Sequence, residues 1–198
     1  MFSDPLLAVV AVVGGYFVYR QIADTFDDLR YKQIRVDGRW YLVRTDLPRP
    51  QQAARTLAEI ERRIDILLDY LRASYPEDVR TRRLVRRYRS ENMREGSPYN
   101  SENNTSYVYD KGSLIVFCLR REEDAEFHEI DTLMFVVLHE LSHIASKGFG
   151  HGKEFKKNFL WMLRRGQEAG IYSGIDYSKN PVTYCGLDVE HNPLYSGY

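Results

Sequence analysis

Two histidines four residues apart, with a glutamate directly after the first, constrain this sequence more than any other feature. Residues 138–155 read LHELSHIASKGFGHGKEF, which contains the pattern H-E-x-x-H at His139, Glu140 and His143 and a further histidine, His151. Residues four apart lie one turn above each other on the same face of an α-helix. Two imidazoles so placed can reach one Zn²⁺ ion at about 2.0–2.1 Å without backbone movement. The spacing therefore predicts a helix with a metal site on one face.

The apolar residues around this motif recur at helical spacing. They are Ile130, Leu133, Met134, Val137, Leu138, Leu141, Ile144 and Ala145. This one-sided pattern predicts an amphipathic helix that begins near Phe127 and ends at Gly148. A second apolar run at Phe155, Phe159, Met162 and Leu163 predicts another helix that ends at about Ala169.

The number of candidate ligands indicates the kind of metal site. A structural zinc site has four protein ligands, whereas a catalytic one has three and an open position for water. His139, His143 and His151 supply three, and the two glycines before His151 let the chain reverse. Glu140 points about 100° round the helix from His139, so we predict that it acts as general base towards a water on Zn²⁺. The predicted activity is hydrolysis of a protein or peptide substrate.

Three further interpretations stay open. The histidines could be hydrogen-bonded core residues of an ordinary helix. The site could bind metal without cleaving anything, in a structural or assembly protein of a particle or membrane complex. The protein could also be a DNA-associated protease. If it is an enzyme, the apolar strand SLIVFCL (113–119) is the expected edge for an extended substrate, and Tyr177 and Tyr184 are candidate oxyanion donors.

The amino-terminal segment is unusually apolar. Residues 6–19 carry no charge, and Arg20 follows directly. We favour an uncleaved membrane anchor within residues 1–20, with a buried core helix and a cleaved signal peptide as the alternatives. Arg20, Arg30 and Lys32 then place the main domain in the cytosol, because positive charges stay on that side.

The rest of the chain alternates strand and helix patterns. Asp37-Gly38 predicts a hairpin within a connector at 21–49, and residues 50–198 form the metallopeptidase domain with its carboxyl-terminal tail. Apolar spacing predicts a helix from Pro50 to Ser74, and a second hairpin turns at Lys111-Gly112. The order indicates one α+β domain. Cys118 and Cys185 are far apart and form no CxxC pair, which argues against a disulfide and for a reducing compartment.

Residues 80–89 (RTRRLVRRYR) contain six arginines. Such clusters bind phosphates of nucleic acid or lipid headgroups, although a basic solvated helix face paired with acidic residues is the alternative. Lys plus Arg and Asp plus Glu both total 28, so no global field attracts an anionic partner and any attraction is local.

The remaining histidines, His128 and His191, are expected to be exposed. Composition says nothing of the oligomeric state.

HELSH, a histidine after a short glycine-containing stretch, GKEF and a second helix together resemble the WLM group of zinc metalloproteases, which is related to the SprT/Spartan proteins. The resemblance covers about residues 50–170 and rests on His139, Glu140, His143 and His151. It implies a compact zincin-like (minigluzincin) domain, with helices on a small, mostly antiparallel sheet after the apolar amino-terminal helix. Members of this group act on proteins crosslinked to DNA, and relatives occur in large DNA viruses, so the resemblance also admits a virion-associated form.

Overall fold

The computed structural model describes residues 30–99 and 106–196. The predicted anchor and the apolar segment 6–19 therefore lie outside the described residues. Within the described part of the chain, no helix combines the length and the apolar character needed to cross a membrane.

A five-stranded sheet forms one layer of the α+β fold, which confirms the predicted class. The strands are β1 (Tyr31–Val36), β2 (Arg39–Arg44), β3 (Met93–Glu95), β4 (Tyr107–Tyr109) and β5 (Leu114–Phe117), in the order β1-β2-β3-β5-β4. The β1–β2 hairpin is the predicted one. Asp37 and Gly38 both have positive φ, 49° and 85°, as a tight two-residue hairpin turn requires.

The sheet is mixed, although most of its residue pairs are antiparallel, as expected. β1–β2 and β4–β5 are antiparallel, but β2–β3 and β3–β5 are parallel. The first parallel pair arises because two helices cross over between β2 and β3. The expected position of β5 at the sheet edge is wrong, because β4 pairs with its outer side and takes the edge.

Four helices of nine residues or more form the rest of the core in the described part of the chain. They are α1 (Pro50–Ser74), α2 (Val79–Arg87), α3 (Ile130–Ala145) and α4 (Lys153–Glu168). α1 has the predicted bounds and buries its apolar stripe completely, including Leu57, Ile64 and Leu71. α3 and α4 are neighbours in the core, where the rings of Phe135 and Phe159 have centroids 5.3 Å apart.

α3 begins three residues later than expected and ends three residues earlier. At its start, the amide of His128 donates to the carbonyl of Leu119 at 3.0 Å, and Arg120 bridges to Phe127, so this stretch is extended. At its end, Ser146 has extended backbone angles. The chain therefore leaves the helix well before Gly148.

The carboxyl-terminal segment adds a small hairpin, β6 (Val182–Tyr184) and β7 (Leu187–Val189), and a single turn, α5 (Pro193–Ser196). A disulfide joins Cys185, in the hairpin turn, to Cys118 at the end of β5. The expectation of no disulfide is wrong, because a separation of 67 residues along the chain does not limit the distance after folding. The cysteine spacing consequently gives no argument for a reducing compartment.

Candidate metal centre

Three imidazoles converge at the carboxyl-terminal half of α3. The Nε2 atom of His139 lies 3.0 Å from that of His151 and 3.3 Å from that of His143. The Nε2 atoms of His143 and His151 are 3.2 Å apart. Ligands held at 2.0–2.1 Å around a tetrahedral ion stand about 3.3–3.4 Å apart. The three nitrogen atoms therefore have the spacing of three zinc ligands, and the residues fit this metal.

α4 holds the rings in this orientation through aromatic packing. Phe155 stacks on His143 with ring centroids 4.2 Å apart and contacts His139 edge-on at 4.8 Å. Phe159 also contacts His139 edge-on, with ring centroids 5.0 Å apart. Because Phe155 and Phe159 are one turn apart on α4, the helix that follows His151 also fixes the two ligands on α3.

The environment keeps the two α3 imidazoles neutral. Burial lowers the pKa of His139 to about 3, with further lowering from His143 and His151. Burial also lowers the pKa of His143 to about 4, and His151 and Lys111 add to the effect. Neutral imidazole is the form that binds a metal ion. Both side chains are thus ready to bind at neutral pH without releasing a proton.

Glu140 lies on the floor of the same cleft and is almost completely buried. Burial raises the pKa of its carboxyl group to about 8, although the backbone N–H of Val108 on β4 donates to it and lowers the pKa in part. A nearby cation would lower this pKa, because an opposite charge favours the carboxylate. The group is therefore poised to exchange a proton near neutral pH.

The cleft above these residues has a volume of about 520 Å³. Its floor is α3, and its walls are the edge strand β4, the loop before α4 and the β6–β7 hairpin. The residues from these walls are Ser106, Tyr107, Val108, Lys111, Phe149, Gly150, Tyr184, Leu187, Asp188 and Val189. A cleft of this size can hold several side chains of an extended peptide.

Of the two candidate tyrosines, only Tyr184 lines the cleft. Its hydroxyl donates to the carbonyl of Cys118 at 2.6 Å and lies 2.7 Å from Oγ of Ser106. Tyr177 is fully buried and packs against Phe135 with ring centroids 4.9 Å apart. The sequence could not choose between them, because the choice depends on the path of the carboxyl-terminal hairpin.

The remaining two histidines, His128 and His191, differ in their exposure to solvent. His191 is exposed, as expected. The expectation for His128 is wrong, because it is buried with its Nε2 3.3 Å from Sγ of Cys185. His128, Cys118 and Cys185 form a second cluster of metal-binding residue types, but the two sulfur atoms are bonded to each other.

The arginines of α2 largely contact the protein itself. Arg80 pairs with Asp78 and Arg82 pairs with Glu77. Arg83 and Arg87 point towards the end of α3. An anionic partner for residues 80–89 stays a prediction, with Arg82 and Arg86 as the most exposed of the helix's basic groups.

Comparison with known proteins finds viral relatives. The chain is 32% identical over 193 residues to the uncharacterized protein R325 of Acanthamoeba polyphaga mimivirus, a match that covers 96% of this chain and 94% of that protein. The chain belongs to the same family as this mimivirus protein. A shorter match links this chain to the uncharacterized protein 042R of Invertebrate iridescent virus 3. The two are 39% identical over 87 residues, which cover 43% of this chain and 52% of that protein.

A further match is the uncharacterized protein 136R of Invertebrate iridescent virus 6, at 30% identity over 60 residues, 29% of this chain and 34% of that protein. No model of a known protein family matches the chain. No solved structure matches it either.

Proposed function

We propose that this protein is a zinc metallopeptidase with a zincin-like domain related to the WLM and SprT group. The observation that supports this most is the approach of three Nε2 atoms to within 3.0–3.3 Å of one another beside a buried glutamate on a cleft floor. His139, His143 and His151 would hold the ion, which leaves a coordination position free for water. Bound Zn²⁺ supplies a Lewis acid that lowers the pKa of water and polarises a carbonyl group.

Glu140 moves the proton in this proposal. It accepts the proton of the attacking water and later returns it to the leaving amine, a role that suits a carboxyl group whose pKa is raised by burial and would be lowered by the bound ion. Tyr184 lines the same cleft, but its hydroxyl would have to give up its hydrogen bond to the carbonyl of Cys118 before it could donate towards the developing negative charge on the substrate oxygen.

The substrate would lie extended along β4. This strand occupies the sheet edge and lines the cleft at Tyr107 and Val108. Because β5 pairs with one side of β4, the other side would offer its main chain to an extended peptide. Apolar side chains at Val136, Leu187 and Val189 border the space that substrate side chains would enter.

Glu140→Gln tests this function. The variant keeps the three histidines, so it should contain as much zinc as the parent, while kcat on denatured protein or a fluorogenic peptide panel falls about 10²–10⁴-fold. The reason is that an amide cannot accept the proton. A zinc-loaded parent that cleaves no peptide, or a variant as active as the parent, would remove the enzyme proposal.

The alternative is a structural or assembly protein of a virion or membrane complex, and the viral relatives favour keeping it. Membrane attachment through residues 6–19 belongs to the metallopeptidase proposal as well as to this alternative. Under this alternative, Glu140→Gln would leave particle assembly unchanged, whereas loss of His139 and His143 would impair it. Assembly measured with both variants separates a catalytic use of the site from a purely structural one.

A further inference from the structure

The third candidate ligand is carried by a loop with little structure of its own. Residues 146–152 connect α3 to α4 and contain three glycines, Gly148, Gly150 and Gly152. Gly150 has φ +70°, and an added Cβ at Gly150 or Gly152 would meet nothing within 4 Å. Glycine-rich segments lose much conformational freedom when they are ordered. Something other than local preference must therefore hold His151 beside the helix that carries the other two ligands.

The carboxylate of Glu154 closes this loop. It accepts hydrogen bonds from the backbone amide of Lys147 at 3.0 and 3.1 Å and from that of Gly148 at 3.1 Å. Glu154 lies in the first turn of α4, three residues after His151. Its side chain thus joins the start of the loop to the helix at the end of the loop.

Arg83 on α2 fixes the carboxylate in turn. Its guanidinium contacts Oε1 of Glu154 at 2.9 Å and the carbonyl of Ala145 at 3.3 Å. The neighbouring Arg87 donates to the carbonyls of Ile144 at 2.8 Å and Ser146 at 2.9 Å. These carbonyls are acceptors that the end of a helix leaves without partners inside the helix. Two members of the arginine cluster therefore face the carboxyl end of the helix that bears His139 and His143.

Lys111 also supports the loop. Its ammonium group donates to the carbonyl of His143 at 3.2 Å and to that of Gly148. It also lies over the ring of Phe149, 4.5 Å from the centroid. The loop is consequently held by Lys111 as well as by α2, and the Arg83–Glu154 pair is the contact that links α2 to the helix that follows His151.

We propose that Glu154 and Arg83 are positioning residues for His151, so that the arginine cluster serves to assemble the metal centre. This inference rests on the proposed metal site. Without the carboxylate, the loop amides lose a charged acceptor and the loop can occupy other conformations. The third imidazole then spends less time at the ion, and metal affinity falls even though all three histidines are present.

Glu154→Gln in the full-length chain tests this role, with Glu168→Gln as the matched control. Both glutamates lie on α4, have similarly exposed side chains (43% and 40%) and pair with an arginine. Zinc affinity is measured by competition with a chelator, and the ligand set by the absorption spectrum of the Co²⁺-substituted protein. We expect zinc affinity to fall about 10–100-fold in Glu154→Gln, with a weaker visible band, and to stay within about twofold in the control.

Amide hydrogen exchange gives a second readout in the metal-free protein. The amides of Lys147 and Gly148 should exchange about tenfold faster or more in Glu154→Gln, because a charged acceptor has been removed. Glu154→Asp, which keeps the charge, should restore part of the zinc affinity. An unchanged cobalt spectrum and unchanged zinc affinity in Glu154→Gln would overturn the positioning role, as would an equal loss in the control.

The outcomes also separate this inference from the proposed enzyme. A parent that binds zinc and cleaves nothing removes the peptidase function but leaves the positioning role testable through affinity and spectrum. A parent that cleaves peptides, together with a Glu154→Gln variant of normal zinc affinity, removes only the positioning role. A parent that binds no zinc removes both.

Discussion

The hydroxyl of Tyr184 donates to the backbone carbonyl of Cys118 at 2.6 Å, and the next residue along, Cys185, forms a disulfide with the same Cys118. Two bonds of different kinds therefore attach the β6–β7 hairpin to the end of β5. The hairpin supplies one wall of the cleft through Leu187 and Val189. The geometry of that wall depends on how firmly this attachment holds.

Removal of the disulfide should lower stability without removing the metal site. In a chain-entropy model, closing a loop of 67 residues contributes about 4 kcal/mol to the free energy of unfolding. We expect Cys118→Ser/Cys185→Ser to lose a large part of this amount in urea unfolding, while zinc binding stays near that of the parent because the histidines lie on α3 and before α4. A reducing agent should destabilise the parent similarly and leave the variant unaffected. Equal stability of parent and variant would contradict the disulfide.

Acidification should affect the metal-free protein in two opposing ways. The folded pKa values of His139 and His143, about 3 and 4, lie below the ordinary value of 6.5, so below pH 6.5 the unfolded chain binds protons that the folded chain does not. The contribution of these two histidines to the free energy of unfolding is complete above pH 6.5 and is lost as the pH falls. Glu140 acts in the other direction, because its pKa of about 8 in the folded protein lies above the ordinary value of 4.5. Folding takes up a proton between these two pH values, so the contribution of Glu140 to stability grows as the pH falls.

Two variants separate these contributions. Between pH 7.5 and 5, the metal-free Glu140→Gln variant should lose stability in urea unfolding relative to a His139→Gln/His143→Gln variant. The first retains only the histidine contribution and the second only the glutamate contribution. Parallel pH dependences in the two variants would show that burial does not shift these groups as described.

The arginines of α2 should differ in their effect on stability. Arg87 donates to two carbonyls at the end of α3, whereas its neighbour Arg86 is exposed. We expect Arg87→Gln to cost about 1–3 kcal/mol, the range for hydrogen bonds from a charged group. Arg86→Gln, which removes the same charge, should stay within about 0.5 kcal/mol. Urea unfolding of both variants makes the comparison.

The Arg86→Gln variant alone also tests an anionic partner. If residues 80–89 bind nucleic acid, Arg86→Gln should weaken binding and reduce its dependence on salt concentration. Equal urea midpoints for Arg86→Gln and Arg87→Gln would show that the hydrogen bonds from Arg87 to the end of α3 do not stabilise the fold. This design avoids replacing Arg83 and Arg87 in a binding assay, where loss of the fold could be mistaken for loss of a contact.

Local features of the fold were predictable from sequence. The bounds of α1 follow from apolar spacing between Pro50 and the Tyr75-Pro76 pair, and the first hairpin follows from Asp37-Gly38, because both signals act within a few residues. The spacing of His139 and His143 likewise places them on one helix face. His151 was predictable only as a candidate, since its position depends on the loop before α4.

Features that depend on contacts between distant segments were not predictable. Strand order, and thus the edge position of β4, is set by crossovers between segments far apart in sequence. Glu154 bonds backbone amides, which any residue offers, so its role leaves no mark in composition. The disulfide and the choice of Tyr184 over Tyr177 depend on where the carboxyl-terminal hairpin packs.

The proposed centre is one ion bound by His139, His143 and His151, and the metal content of the purified protein tests it directly. Native mass spectrometry after equilibration with one equivalent of Zn²⁺ should find close to one zinc per chain in the parent. The His151→Ala variant should bind zinc much more weakly, because two imidazoles remain. A parent that retains no zinc, or a His151→Ala variant that retains it as firmly as the parent, would contradict the three-histidine centre.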